Sequence, residues 1–279
     1  MSTRTLPSID ELKHVATRLR IDIVRMIGEA GSGHPGGSLS EVEVLLALYS
    51  RVMRHDPKNP NWPDRDRFIL SKGHGVPALY AVLAEAGYLD PALLSTLRKL
   101  GSPLQGHPDK RFLPVLEAST GSLGQGLSIG IGMAMAARLD KRDYHTFVMV
   151  GDGEIQEGQI WEAAMFAGFH KLDNLTLIVD YNRQQLDGFL KDILDSAPIG
   201  EKFRAFGWDT MDIDGHDLTE VISALEKARN GHDKSPTCVV AHTVKGKGVS
   251  FMENNPEWHG VAPKKEQVAA AVAELEKSS

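Results

Sequence analysis

The run Val148-Met149-Val150-Gly151-Asp152-Gly153-Glu154, with Val179-Asp180-Tyr181-Asn182 further along, decides how this chain folds. Three apolar residues leading into Gly-Asp-Gly read as a buried strand that breaks at its carboxyl end. Twenty-eight residues lie between Gly153 and Asn182, which is room for a helix and a second strand. If those strands are parallel neighbours, Asp152 and Asn182 arrive at the same sheet edge. A carboxylate and a carboxamide are hard oxygen ligands suited to octahedral Mg²⁺, which normally also holds phosphate oxygens and water. Gly151 and Gly153 leave space for a diphosphate beside the main chain, and the amino terminus of the following helix adds favourable partial charge. Gly-Asp-Gly alone is also a common turn; its spacing from Asn182 gives the pattern its weight.

Working outward, residues 67–70, 146–150, 175–180, 210–213 and 237–241 read as strands, each followed by a turn and a helix. Uniformly apolar strands separated by helices predict an α/β fold, a parallel sheet flanked by helices, with its site on the loops beyond the strands' carboxyl ends. Leu12, Val15, Leu19, Ile23 and Met26 recur at helical spacing within 8–30, and Gly31 ends that helix. Ser40 and Glu43 form an S-x-x-E pattern that predicts a capping box opening a second helix with Val44, Leu45, Leu48 and Val52 on its apolar face. Residues 55–66, rich in proline, asparagine and aspartate, read as a surface loop. Residues 118–137 carry no charge but include five glycines, so a buried helix behind a glycine loop fits better than a membrane span. A charged helix occupies 264–277. No linker or repeat divides the chain, and 1–279 reads as a single α/β domain.

Size and composition agree. At 279 residues, 42% hydrophobic and with a mean hydropathy of -0.22, the chain can bury a large core. The net charge of -6 offers no general attraction to nucleic acid or anionic lipid, so a bound phosphate must be gripped locally. A lone cysteine, Cys238, allows neither an internal disulfide nor a thiolate metal cluster, and the polar amino terminus lacks a signal-peptide core. A cytoplasmic protein, bound to neither nucleic acid nor membrane, is expected.

Six of the eleven histidines stand beside a glycine: His34, His74, His107, His216, His232 and His259. Glycine lets the backbone approach a ligand while the imidazole projects towards it. His232 reads as a surface turn and His216 equally well as one, but His34, His74, His107 and His259 sit in GSGHPGGS, SKGHGVP, LQGHPD and EWHGVAP, and together they suggest a polar pocket. Gly31 to Gly36 matches G-x-G-x-x-G but follows a helix and contains Pro35, so a dinucleotide fingerprint is not expected.

GDGEIQEGQIWEA through VDYNRQQLDG resembles the thiamin-diphosphate motif in the form carried by transketolases. SGHPGGSLS, DRFILSKGHGVPALYAVL, GHPD, TGSLGQGLSIGIGMA, DGHDL, KGKGVSF and WHGVAP agree in order, so the resemblance covers nearly the whole chain. It implies that Asp152, Asn182 and the main-chain carbonyl of Gln184 bind Mg²⁺, or Ca²⁺ or Mn²⁺ in its place. It implies that the Gly153 amide, His74, Lys72, Lys245 and His259 lie at the thiamin diphosphate, and that Gly121 and Leu123 border its aminopyrimidine. Ser122 stands where the family commonly has proline. Glu157 matches a glutamate in a hydrogen-bonded path between paired active sites. His34, His107 and His259 would bind sugar hydroxyls and move protons during carbon–carbon cleavage.

The family's pyrimidine-binding and carboxyl-terminal domains have no counterpart in these residues. The resemblance therefore implies the amino-terminal subunit of a split transketolase, inactive alone and completed by a separate chain, as an α2β2 assembly. Its reaction would pass a two-carbon ketol unit from a ketose, phosphorylated in the usual case, to an aldose. Pentose phosphates, apiose-pathway sugars and sulfosugars all stay open as substrates. Two other readings remain: the α subunit of a decarboxylating or acyl-transferring thiamin enzyme, which has less need of so many imidazoles, and a non-catalytic chain that keeps the fold.

Overall fold

The computed structural model describes residues 6–231 and 234–277. Its elements run α1 (Ile9–Ala30), α2 (Pro35–Ser40), α3 (Val42–Ala47), β1 (Arg67–Leu70), α4 (Val76–Glu85), α5 (Gln125–Leu139), β2 (Thr146–Gly151), α6 (Gly158–Phe169) and β3 (Leu175–Tyr181). A short hairpin, β4 (Gln184–Gln185) and β5 (Gly188–Phe189), follows, then α7 (Leu190–Ile193), α8 (Ile199–Ala205), β6 (Asp209–Asp214), α9 (Leu218–Asn230), β7 (Thr237–His242) and α10 (Lys265–Lys277).

The five long strands form one parallel sheet in the order β1-β2-β3-β7-β6. Alternate residues serve opposite faces. Phe147, Met149, Ile178 and Val239 join a core with α1, α3, α4 and α9, while Val148, Val150, Leu177, Val179 and Cys238 join a second core with α5, α6 and α8. Both faces of β2, β3 and β7 are covered, which is why those strands carry no polar alternation. The edge strand β6, expected to be uniformly apolar, instead alternates Met211 and Ile213 with exposed Asp212 and Asp214. Register pairs Gly151 with Asp180 and Tyr181 with His242, so β2, β3 and β7 end side by side. The chain crosses from β3 to the far edge and returns to place β7 beside β3. That reversal opens a crevice at the strands' carboxyl ends.

Three further sequence expectations need correction. The capping box lies at Ser8 and Glu11, where the Glu11 amide donates to Ser8 Oγ at 3.2 Å and the Ser8 amide donates to Glu11 Oε2 at 2.7 Å. At the expected site, Ser40 closes α2 and its hydroxyl donates to Asp180 Oδ2 at 2.7 Å, while Glu43 accepts from Arg20 at 2.7 Å. Both are buried, and charged partners from distant segments outcompete a local cap. The helix α5 is buried on one face only; Met135 is 39% and Leu139 83% exposed, because that face meets nothing among the described residues. The strand β3 runs into the β4–β5 hairpin before any helix.

Candidate functional site

The segments leaving β1, β2, β3 and β7 converge, with the loops before α2 and α5, on a cleft of about 230 Å³. Asp152, Gly153, Asn182 and Gln184 form its floor, and Lys72 and Lys245 border it. His34, His74, His107 and His259 border it as well, with Gly121 and Leu123 from the loop before α5. Glu157 does not: it is exposed at the amino-terminal cap of α6. His216 is a structural residue, bonded through Nδ1 to Glu43 at 3.0 Å and through Nε2 to the Val244 amide at 2.9 Å. His232 lies outside the described residues.

Local sequence explains the convergence. In the turn Gly73–Gly75 His74 leaves β1 directly, and Gly37 is tight against it: a Cβ there would lie 3.4 Å from His74 Nε2. Gly121 holds φ at +137°, a conformation side chains rarely adopt, and a Cβ would lie 3.1 Å from His107 Cδ2. The His34 ring centroid is 5.2 Å from that of His74, 5.6 Å from His259 and 6.2 Å from His107. Burial lowers all four imidazoles, assisted by neighbouring cations: His34 to about 4, His259 to about 3, and His74 and His107 in the same direction. All four are neutral near pH 7 and able to donate or accept a proton.

The acidic floor has the opposite character. Asp152 is buried, and among the described residues its carboxylate accepts only main-chain donors, Gly153 at 2.8 Å and Arg183. Burial, followed by the charge of Asp180, pushes its pKa up to about 7. A buried carboxylate with no side-chain cation in hydrogen-bonding contact suits an external cation. Among the described residues no three His, Cys, Asp or Glu side chains group as metal ligands. A cation here would therefore be held by one carboxylate, the Asn182 carboxamide and a main-chain oxygen, with phosphate oxygens or water completing its shell, as Mg²⁺ prefers. The Gln184 carbonyl oxygen faces the Gly-Asp-Gly turn, 3.9 Å from where a Cβ of Gly153 would stand. These residues fit a divalent cation carrying a diphosphate.

Both lysines, which would read as solvent-facing if isolated, are buried. Lys245 Nζ lies 2.7 Å from His259 Nδ1, and burial lowers its pKa to about 8. Lys72 turns beneath the floor, donating to Asp180 at 2.5 Å and Gly37 O at 3.0 Å and pairing with Glu41 at 2.8 Å. Two further residues escape sequence reading. Glu154 accepts from Ser71 Oγ at 2.5 Å, Gly124 N at 2.9 Å and Gly151 N at 3.1 Å, tying three site loops together. Glu41 is fully buried and burial raises its pKa to about 8. Its only sequence signal is a place inside the expected cap.

Fold and cleft together define an α/β protein whose cleft, beyond the ends of parallel strands, has residues that fit a cation and a diphosphate. Comparison with known proteins specifies the class: a family model described as "Transketolase, thiamine diphosphate binding domain" matches residues 11–276. The 6-deoxy-6-sulfo-D-fructose transketolase subunit of a Clostridium species is 49% identical, covering 96% of this chain and 97% of that one. An apulose-4-phosphate transketolase subunit of Phocaeicola vulgatus is 42% identical, covering 96% and 94%. The crystal structure of Campylobacter jejuni transketolase superposes with a TM-score of 0.90 at 34% identity; the alignment covers 97% of this chain but only 43% of that one. The chain belongs to the transketolase family, and it carries the family's thiamin-diphosphate-binding domain.

Proposed function

We propose that this chain is the diphosphate-holding subunit of a two-chain transketolase, completed by a separate polypeptide that supplies the pyrimidine-binding half. Support for the partner comes from the relatives of similar length, which are named as subunits. Asp152, Asn182 and the Gln184 carbonyl would hold Mg²⁺. The Gly153 amide, His74 and Lys245 would hold the diphosphate, and Gly121 and Leu123 would border the pyrimidine. Thiamin diphosphate, when bound, supplies the carbon nucleophile for breaking and remaking a bond beside a carbonyl. His34, His107 and His259 orient the sugar hydroxyls and, being neutral, exchange protons with them. Glu157, exposed at the start of α6, is left to an assembled α2β2 complex. The substrate is a ketose with a phosphate or sulfonate at its far end, and the enzyme works in the cytoplasm. Among the described residues no helix is long and apolar enough to cross a membrane.

The observation that carries this reading is the meeting of an unpaired buried carboxylate, Asp152, with four neutral imidazoles in one cleft. The test is to copurify the chain with its companion and assay ketol transfer with 6-deoxy-6-sulfo-D-fructose and a panel of ketose phosphates. Transfer by the pair and not by the chain alone is expected; turnover by the isolated chain would contradict it.

A further inference from the structure

Asp180 ends the buried part of β3, paired in register with Gly151 and two residues before Asn182, and is itself fully buried. Its carboxylate accepts from four side chains, three from distant parts of the chain and one, Asn182, only two residues away. Ser40 Oγ at 2.7 Å, Lys72 Nζ at 2.5 Å and Asn182 Nδ2 at 3.1 Å reach Oδ2, and Thr243 Oγ1 reaches Oδ1. A carboxylate can only accept, so Asn182 must turn its NH₂ towards it. On its other side, Asn182 Oδ1 accepts from the Gln184 amide at 3.2 Å. The carboxamide is therefore oriented from both ends, its nitrogen towards Asp180 and its oxygen towards the start of the β4–β5 hairpin, in a residue that lines the cleft.

Resting on the cofactor reading above, we propose that Asp180 is a positioning residue: it makes Asn182 present oxygen, and not nitrogen, to the cation. Metals bind the amide oxygen and not its NH₂, and a flipped Asn182 would offer a repelling dipole. Lys72 belongs to the same device. Held by Asp180, Glu41 and Gly37 at the border of the cleft, its ammonium balances the charge of Asp180. Removing the charge of Asp180 need not strand Lys72, because Glu41 remains beside it to ionise.

The test uses the complex with its companion chain and takes Mn²⁺ as the probe, with free Mn²⁺ read by electron paramagnetic resonance in excess thiamin diphosphate. Asp180→Asn should weaken Mn²⁺ binding by about 10- to 100-fold, the usual effect of losing a group that orients a metal ligand. The exchange Asp180→Asn with Asn182→Asp restores a donor facing an acceptor and leaves a carboxylate oxygen for the metal. It should recover most of the loss, which a merely structural role for Asp180 would not. Unchanged binding in Asp180→Asn, or a double variant no better than the single, overturns the proposal while leaving the cofactor site intact. Absence of thiamin-diphosphate-linked Mn²⁺ uptake by the unaltered complex overturns the cofactor reading itself. If Asp180→Asn does not fold, side-chain amide hydrogen exchange in the unaltered chain decides: protection at Asn182 Nδ2 is expected, and exchange at the rate of an exposed amide overturns the proposal.

Discussion

Metal binding to this chain should depend on pH through Asp152. Burial, followed by the charge of Asp180, pushes its pKa from 3.8 to about 7, against the main-chain hydrogen bonds from Arg183 and Gly153, which favour the carboxylate. A divalent cation needs the carboxylate, so binding below pH 7 must displace a proton. Apparent affinity should therefore fall about tenfold for each pH unit below 7 and level off above it, since one pKa unit is about 1.4 kcal/mol. The imidazoles do not blur this profile, because burial keeps them neutral down to about pH 4 for His34 and lower for His259. Lys245, at about 8, would add a shallower rise on the alkaline side. For the cation-free fold the sign is opposite. A carboxyl whose folded pKa is raised favours the protonated state, so Asp152 withdraws stability as pH climbs from about 4 to 7. Titration with Mn²⁺ from pH 5.5 to 8.5, in two buffers of different ionisation enthalpy, measures both affinity and proton release. An affinity flat across that range, with no proton released, would refute the reasoning; Asp152→Asn should abolish both the binding and its pH dependence.

Other outcomes follow from single contacts. Glu154→Ala leaves the buried amides of Gly124 and Gly151 without an acceptor, and at about 1–3 kcal/mol for each it should lower stability measurably in urea and weaken cofactor uptake. Gly168→Ala would put a methyl carbon 1.8 Å from the Phe206 carbonyl oxygen, so soluble folded protein should be lost in an expression and circular dichroism test. Ser8→Ala removes the capping box of α1 and should cost about 1 kcal/mol in thermal unfolding, with ketol transfer unchanged.

The parts of the fold written in local pattern are legible in the sequence. Residues 146–150 and 175–180 read as strands because both sheet faces are covered, so most positions are apolar, with Thr146, Thr176 and Asp180 as buried exceptions. Asp152, Asn182 and the four glycine-flanked histidines are legible because loops that serve a cleft use residue types that loops seldom need. What escapes depends on partners far apart in the chain. Ser40 and Asp180 are 140 positions apart, so S-x-x-E looks like a cap although its serine is engaged elsewhere. Glu41 and Lys72 likewise gain their meaning only when α2, β1 and β3 come together. The exposed side of α5 reads as buried because an uncharged helix looks the same whether a core or another chain covers it.

The central claim is that a divalent cation anchored on Asp152 and Asn182 holds thiamin diphosphate in a site this chain shares with a partner. Isothermal titration of thiamin diphosphate into the assembled complex, with Mg²⁺ present and after its removal by chelation, tests it most directly. Uptake that requires the metal, and that is lost in Asp152→Ala, is the predicted result. Equal uptake without metal, or uptake undiminished in Asp152→Ala, would contradict it.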